Sequence, residues 1–455
     1  MDDPLVSVVP DAGLGNSAYL LDLGDGRALA VDASRDLRSL RRAAAARGLH
    51  VAYAADTHLH ADFLSGAVQL AATDGAQVLA SRAGGREFPH RGLEDGEEVN
   101  LGGLTLRAIG TPGHTDEHIA FLVLDGSREI GVFSGGSLIA GSAARVDLVA
   151  PERTEELARA QYHSLHRLAA LDPATALWPT HGAGSFCSAT AAPAGTTTTI
   201  GDELAANELL RAADEDTFVR LLLGSLGSHP PYFHRLGEMN RRGPEVLAGD
   251  DPALEGLQPT VVADLVAAGT QIVDVRPVAS FAQAHPAGSL SIPLRPAFVS
   301  WLGWLAPHDR PLVILREADQ DATEILWQAL KIGYANVVGE IAGGIDAWQT
   351  AGLPTAAIDL LSPADVSGVR VLDIRQDGEY AAGHLPGAAH LELGDVAEHA
   401  AEYADSPVVV MCGHGERAMS AASLLARAGA TDVRVLDGGP DNVAYALDLE
   451  MERGP

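Results

Sequence analysis

The chain has 455 residues, too many for one compact core, so two to four domains are expected. A formal charge of −30 argues against nucleic-acid and acidic-lipid partners, and two cysteines, Cys187 and Cys412, exclude a disulfide framework and a Cys-rich zinc ribbon. With no apolar run near the ~18 residues of a membrane span and no basic stretch in MDDPLVSVVP, the reading is a soluble cytoplasmic protein with no membrane partner.

From Leu5 to about Ala140, short apolar strands alternate with turns and a few helices. SAYLLDLGDGRALAVDA predicts strand, Gly-Asp-Gly turn, strand, and DLRSLRRAAAARGL predicts a helix closed by Gly48. HVAYAADTHLH is a strand that delivers histidines at its C-terminal end. LTLRAIGTPGH repeats the device with a Pro-Gly turn before His114, and REIGVFSGG is a third strand ending in a loop. Residues Thr154 to Leu171 read as a helix, and ALWPTHGAG supplies a last strand and His181. SATAAPAGTTTTIG reads as a short Ser/Thr/Ala/Pro-rich segment lying against the first domain. Helical stretches run on to about Leu247, and AGDDPALEGLQP marks the boundary.

Beyond that boundary the sequence repeats. QIVDVRPVASFAQAHPAGSLSIPL matches RVLDIRQDGEYAAGHLPGAAHLEL, and the segments opening PLVILREADQDA and PVVVMCGHGERA match in turn. Strands alternating with helices over roughly 100 residues imply one parallel α/β sheet per repeat. The expected domains are 1–247, 258–355 and 358–455.

In the second repeat, the strand SPVVVM ends at Cys412. CGHGER follows, and a helix opens behind it. Backbone N–H groups and the helix dipole there favour a thiolate or persulfide. This loop resembles that of the rhodanese family, as do the upstream Asp373, Arg375, Glu379, Gly383, His384 and Pro386. The resemblance implies Cys412 as nucleophile within a loop of Gly413, His414, Gly415 and Arg417, Arg417 adding a fixed cation. The first repeat carries Arg316 at the position of Cys412, so it resembles an inactive rhodanese homology domain.

THLHADFLSG has metal-loop spacing, with His58, His60 and Asp62 two apart after a strand; His114 and His181 follow two others. Order and context resemble the metallo-β-lactamase fold, an αββα sandwich, over residues 1 to about 245. The domain order resembles the persulfide dioxygenase–sulfurtransferase fusions. That resemblance implies one mononuclear metal, Fe(II), with Zn(II) as the alternative. It places the ligands at His58, at His114 and at an Asp whose position is held here by Gly136, while Phe63 stands where a binuclear site carries a further His. Both departures disfavour a two-metal thioester hydrolase. His58, His60 and His114 remain a three-nitrogen set, Asp62 is a candidate to orient a ligating imidazole, and His181 completes the candidate metal residues. A Gly at such a turn is expected to use φ > 0, which Asp tolerates better than most residues, so Gly136→Asp is expected to cost only about 1 kcal/mol and to raise the affinity for iron. Cys187 lies six residues after His181, either lining the pocket or serving as a small buried hydrophobe.

The implied function is sulfide detoxification: persulfide oxidation to sulfite coupled to sulfane-sulfur transfer through Cys412. The alternative is a sulfurtransferase whose N-terminal domain is a silent binding module. The implied partners are a low-molecular-weight thiol persulfide, thiosulfate or sulfite, and a second copy of the chain in a homo-oligomer.

Overall fold

Side chains alternate across a strand, and that alternation builds the N-terminal unit. In the strand Asn16–Asp22, Tyr19 and Leu21 face one way and Leu20 the other; in Ile119–Asp125, Phe121 and Val123 oppose Leu122 and Leu124. A computed structural model describes residues 5–189, 198–248, 251–366 and 368–454. Most of SATAAPAGTTTTIG and residues 249–250 of the boundary segment lie outside the described residues. The chain divides into two compact units, Met1–Asp250 with Leu330–Gly333 and Asp251–Ala329 with Tyr334–Pro455.

The first unit holds two six-stranded sheets. One runs in the order Val6–Asp11, Asn16–Asp22, Arg27–Val31, His50–Ala55, Gln77–Ser81, Arg91–Leu93, antiparallel for its first three strands and parallel thereafter. The other runs Thr198–Thr199, Ala176–Pro179, Arg128–Gly135, Ile119–Asp125, Thr105–Gly110, Glu98–Asn100. Tyr19, Leu29, Val31 and Leu79 from one meet Leu106, Phe121, Phe133 and Trp178 from the other in a central apolar layer. The outer faces are covered by helices: Leu40 and Leu70 on one side, Leu157, Leu165, Phe218 and Leu222 on the other. The result is an αββα sandwich. The strands Arg27–Val31, His50–Ala55, Thr105–Gly110, Arg128–Gly135 and Ala176–Pro179 each deliver a site residue in the loop that follows.

The second unit contains two five-stranded parallel sheets of the same topology. Their orders are Gly256–Leu257, Val337–Ile341, Leu312–Leu315, Gln271–Asp274, Leu290–Ser291, and Asp359–Leu361, Val433–Leu436, Val408–Met411, Val371–Asp373, Ala389–His390. The helix Glu416–Arg427 buries eight consecutive residues from Ala418 to Leu425. A helix buried all round needs neighbours on every side, and its small residues allow close approach. The Ser291 N–H of the first repeat donates to Ser423 Oγ at 3.2 Å. Among the described residues no helix is long and apolar enough to cross a membrane.

Candidate functional site

Cys412 follows the buried strand Val408–Met411 and is itself 1% exposed. The loop turns through Gly415, whose φ of +98° suits glycine, and the Gly415 N–H donates to Cys412 Sγ at 3.1 Å. The helix Glu416–Arg427 starts at once, so its N-terminal dipole end also faces the sulfur side of the loop. His414 is exposed on this loop. Arg417, expected as a fixed cation, is held by a bidentate pair with Glu379, at 2.6 and 2.8 Å. Burial works against its charge, but Glu379, Cys412 and Asp373 raise its pKa overall. Trp301, from the first repeat, lies with its ring centroid 6.0 Å from the Arg417 guanidinium.

The upstream residues are scaffold. Asp373 pairs with Arg375 at 2.7 Å, and Arg375 donates to the Gly383 carbonyl. His384 stacks on Tyr380 at 3.8 Å. The first repeat keeps the same frame, with Asp274–Arg276 at 2.6 Å, Arg276 on the Ala284 carbonyl, and His285 stacked on Phe281 at 3.8 Å. It lacks the thiol: Arg316 pairs with Glu340 and donates to the Gln320 carbonyl at 2.9 Å.

In the N-terminal unit, His58, His60, Asp62, His114 and His181 are all at most 1% exposed and converge at one sheet edge. Ligand atoms of His58, His60 and His181 lie within 4.8 Å of one another, as do those of His114, His181 and Cys187. Both of these groups run through His181, and the His58 and His114 rings lie 4.8 Å apart. His114 Nδ1 donates to the Arg145 carbonyl at 2.6 Å, which leaves Nε2 as a bare acceptor. His60 Nε2 faces Asp32 Oδ1 at 3.2 Å. Asn16 joins Asp62 to His181, donating to Asp62 Oδ2 at 2.6 Å and facing His181 Nδ1 at 3.0 Å.

Three buried atoms of the cluster, His60 Nδ1, Asp62 Oδ1 and His114 Nε2, have no hydrogen-bond partner. Buried polar atoms are ordinarily satisfied, and a cation among imidazoles and a carboxylate would satisfy all three. The residues present fit a metal. Phe63 stacks on His60 at 4.1 Å.

Burial holds these imidazoles neutral. It pushes His114 and His181 down to about 3, with neighbouring histidines adding to the effect, and His58 and His118 well below their usual range. His60 is the exception: burial lowers it, but Asp32 raises it overall. Burial raises Asp62, and it raises Cys187 well above the usual thiol range with the Asp62 charge reinforcing it.

Sequence reasoning misses Asp32, Asn16, Thr57, Thr180 and His118. Asp32 ends a strand at φ +50°, a strained conformation for a non-glycine residue. It accepts from the Thr57 N–H and Oγ1, each at 2.8 Å, and from Thr180 Oγ1. The one available signal is a carboxylate directly behind the apolar run ALAV. The expectation for Gly136 is corrected. Positive φ belongs to Gly135, at +57°, and Gly136 is closed by packing: a Cβ there would lie 2.4 Å from His114 Cδ2. Its N–H donates to His118 Nε2 at 3.0 Å.

The rhodanese-like domain family matches residues 258–351 and 356–445. Hydroxyacylglutathione hydrolase of Acidiphilium cryptum is 33% identical over 234 residues, 45% of this chain and 90% of that protein. The mitochondrial persulfide dioxygenase ETHE1 of Homo sapiens is 28% identical over 186 residues, 40% of this chain and 65% of that protein. Thiosulfate sulfurtransferase GlpE of Pseudomonas fluorescens is 45% identical over 89 residues, 19% of this chain and 81% of that protein. The crystal structure of a metallo-β-lactamase from Staphylococcus aureus superposes with a TM-score of 0.64 at 26% identity, covering 74% of this chain and 98% of that one.

Proposed function

Because the chain belongs to the family that joins a metallo-β-lactamase-fold domain of the persulfide dioxygenase type to two rhodanese-like domains, we propose that it is a sulfur-metabolism enzyme that carries sulfane sulfur on Cys412. The observation that carries the proposal is the buried thiol at a strand end, met by the Gly415 N–H at 3.1 Å and by the start of a helix.

The Cys412 thiolate attacks the sulfane sulfur of thiosulfate. A Cys412 S–S bond forms as the S–S bond of thiosulfate breaks, and sulfite leaves with the bonding pair. The persulfide left on Cys412 then gives its outer sulfur to the thiolate of a low-molecular-weight carrier, which regenerates Cys412. Gly415 and the helix N-terminus stabilise the anionic sulfur in both states. Arg417, held in place by Glu379, faces the anionic donor.

The N-terminal unit handles the carrier persulfide. His58, His60, His114, His181 and Asp62 would hold the metal. Fe(II) bound there supplies dioxygen chemistry for persulfide oxidation, whereas Zn(II) supplies only polarisation. Asp32 orients His60, the Arg145 carbonyl orients His114, and Asn16 orients His181. Sulfite from persulfide oxidation is itself a sulfur acceptor, so joining the two activities in one chain raises its effective concentration.

A second reading, a silent binding module beside a working sulfurtransferase, is favoured by Gly136, where the His114 ring occupies the space a carboxylate side chain would need. Oxygen uptake with glutathione persulfide by the iron-reconstituted full chain decides between them. Uptake dependent on His58 supports coupled oxidation and transfer. No uptake, with sulfur transfer intact, supports the binding module.

A further inference from the structure

We propose that Cys187 is a metal ligand, supplying from a different loop the anionic group that position 136 lacks. The proposal rests on the reading that the N-terminal unit holds a metal.

Cys187 Sγ, a His181 ring nitrogen and a His114 ring nitrogen lie within 4.8 Å of one another, and all three residues are fully buried. His114 Nε2 has no partner there, and neither does Asp62 Oδ1. Two imidazoles, a thiol and a carboxylate around unfilled lone pairs form a donor set of the kind that binds thiophilic divalent ions.

The placement is built. The backbone of one residue, Arg145, holds both ends of the set: its carbonyl accepts from His114 Nδ1 at 2.6 Å, and its N–H donates to the Cys187 carbonyl at 2.8 Å. The Arg145 side chain pins the same loop through the Phe186 carbonyl at 3.1 Å. The next residue towards the N-terminus, Ala144, donates its N–H to the Gly136 carbonyl at 3.0 Å. The segment that closes position 136 therefore also carries the thiol to the cluster.

Charge supports the assignment. Neutral imidazoles cannot balance a buried divalent ion, and an unbalanced buried charge is costly. Cys187 as thiolate, with Asp62, provides two negative charges on the His114–His181 side. Binding displaces the thiol proton to solvent. Relative to a two-His-one-carboxylate face, such a set shifts preference from Fe(II) towards Zn(II) or Co(II).

The test uses the full chain, stripped of metal and titrated with Co(II). We expect one cobalt per chain and a near-ultraviolet thiolate-to-cobalt charge-transfer band. The band is kept in Cys412→Ser and lost in Cys187→Ser. Zinc K-edge absorption on zinc-loaded Cys412→Ser gives the same answer without altering Cys187, as a single sulfur scatterer at about 2.3 Å. Stoichiometric cobalt with no charge-transfer band, or a band that survives Cys187→Ser, overturns the assignment of Cys187 and leaves the metal site standing. No cobalt binding at all overturns the metal reading, and this assignment with it.

Discussion

Adding one carbon at position 136 tests how tightly the histidine cluster is built. In Gly136→Ala the new Cβ would sit 2.4 Å from His114 Cδ2, 3.0 Å from His114 Cγ and 3.1 Å from Ala144 Cβ. Carbon pairs settle at ~3.5–4.0 Å, so the imidazole must retreat by about 1 Å. It has little freedom to do so: Nδ1 is bonded to the Arg145 carbonyl, and the His114 N–H donates to Gln161 Oε1 at 3.0 Å. Overpacking of this kind costs about 1–3 kcal/mol, and in a unit of this size each kcal/mol lowers Tm by about 2–4 °C. Loss of the His114 support should weaken metal binding roughly 10–100-fold. Gly136→Asp carries the same Cβ and should lose stability and metal affinity together, despite its carboxylate. The assay is a thermal scan of the stripped protein with an iron and zinc titration. A Gly136→Asp variant that binds iron more tightly than the parent, at unchanged Tm, would refute this account of why glycine stands there.

Glu379→Gln breaks the bidentate hold on Arg417; a charged hydrogen bond is worth about 1.5 kcal/mol, so kcat/KM for thiosulfate should fall roughly tenfold, while an unchanged value would remove Glu379 from its positioning role. Trp301→Ala takes away the aromatic face beside Arg417, worth about 0.5–1 kcal/mol, and should slow transfer about two- to fivefold. Trp301→Phe should restore most of that loss, and failure to do so would point to bulk packing instead. His58, His114, His118 and His181 have folded pKa values pushed by burial below the 6.5 of an exposed imidazole, His114 and His181 to about 3. Below pH 6.5 the unfolded chain binds protons that the folded chain refuses, so the stability of metal-stripped protein should drop as pH falls from 6.5 towards 3. The slope is at most about 1.4 kcal/mol per pH unit for each histidine. Urea melts between pH 7.5 and 5 measure it, and a flat profile would contradict the burial of this cluster.

Local pattern made much of the molecule legible. Apolar strands ending in THLH, TPGH and PTHG place histidines at one sheet edge, because a strand end is where a side chain leaves the core for a loop. The repeat showed Cys412 and its missing counterpart at Arg316 because both follow the same buried strand. Contacts made by residues distant in sequence were not legible. Asn16 and Asp32 reach His181 and His60 across 165 and 28 positions. The approach of Cys187 to His114 depends on the backbone of Arg145, a contact between loops distant in sequence. Gly136 reads in sequence as a missing ligand. In the fold it is a contact surface for an imidazole, a distinction only packing can draw. Arg417 reads as a fixed cation, but the residue that fixes it, Glu379, comes beside it only in the fold.

The central claim is that Cys412 carries sulfane sulfur, and intact-mass measurement after incubation with thiosulfate tests it most directly. The account predicts a gain of one sulfur atom on the parent chain, reversed by a thiol acceptor, retained in Cys187→Ser and absent in Cys412→Ser. No adduct on the parent chain, or an adduct that survives Cys412→Ser, would contradict it.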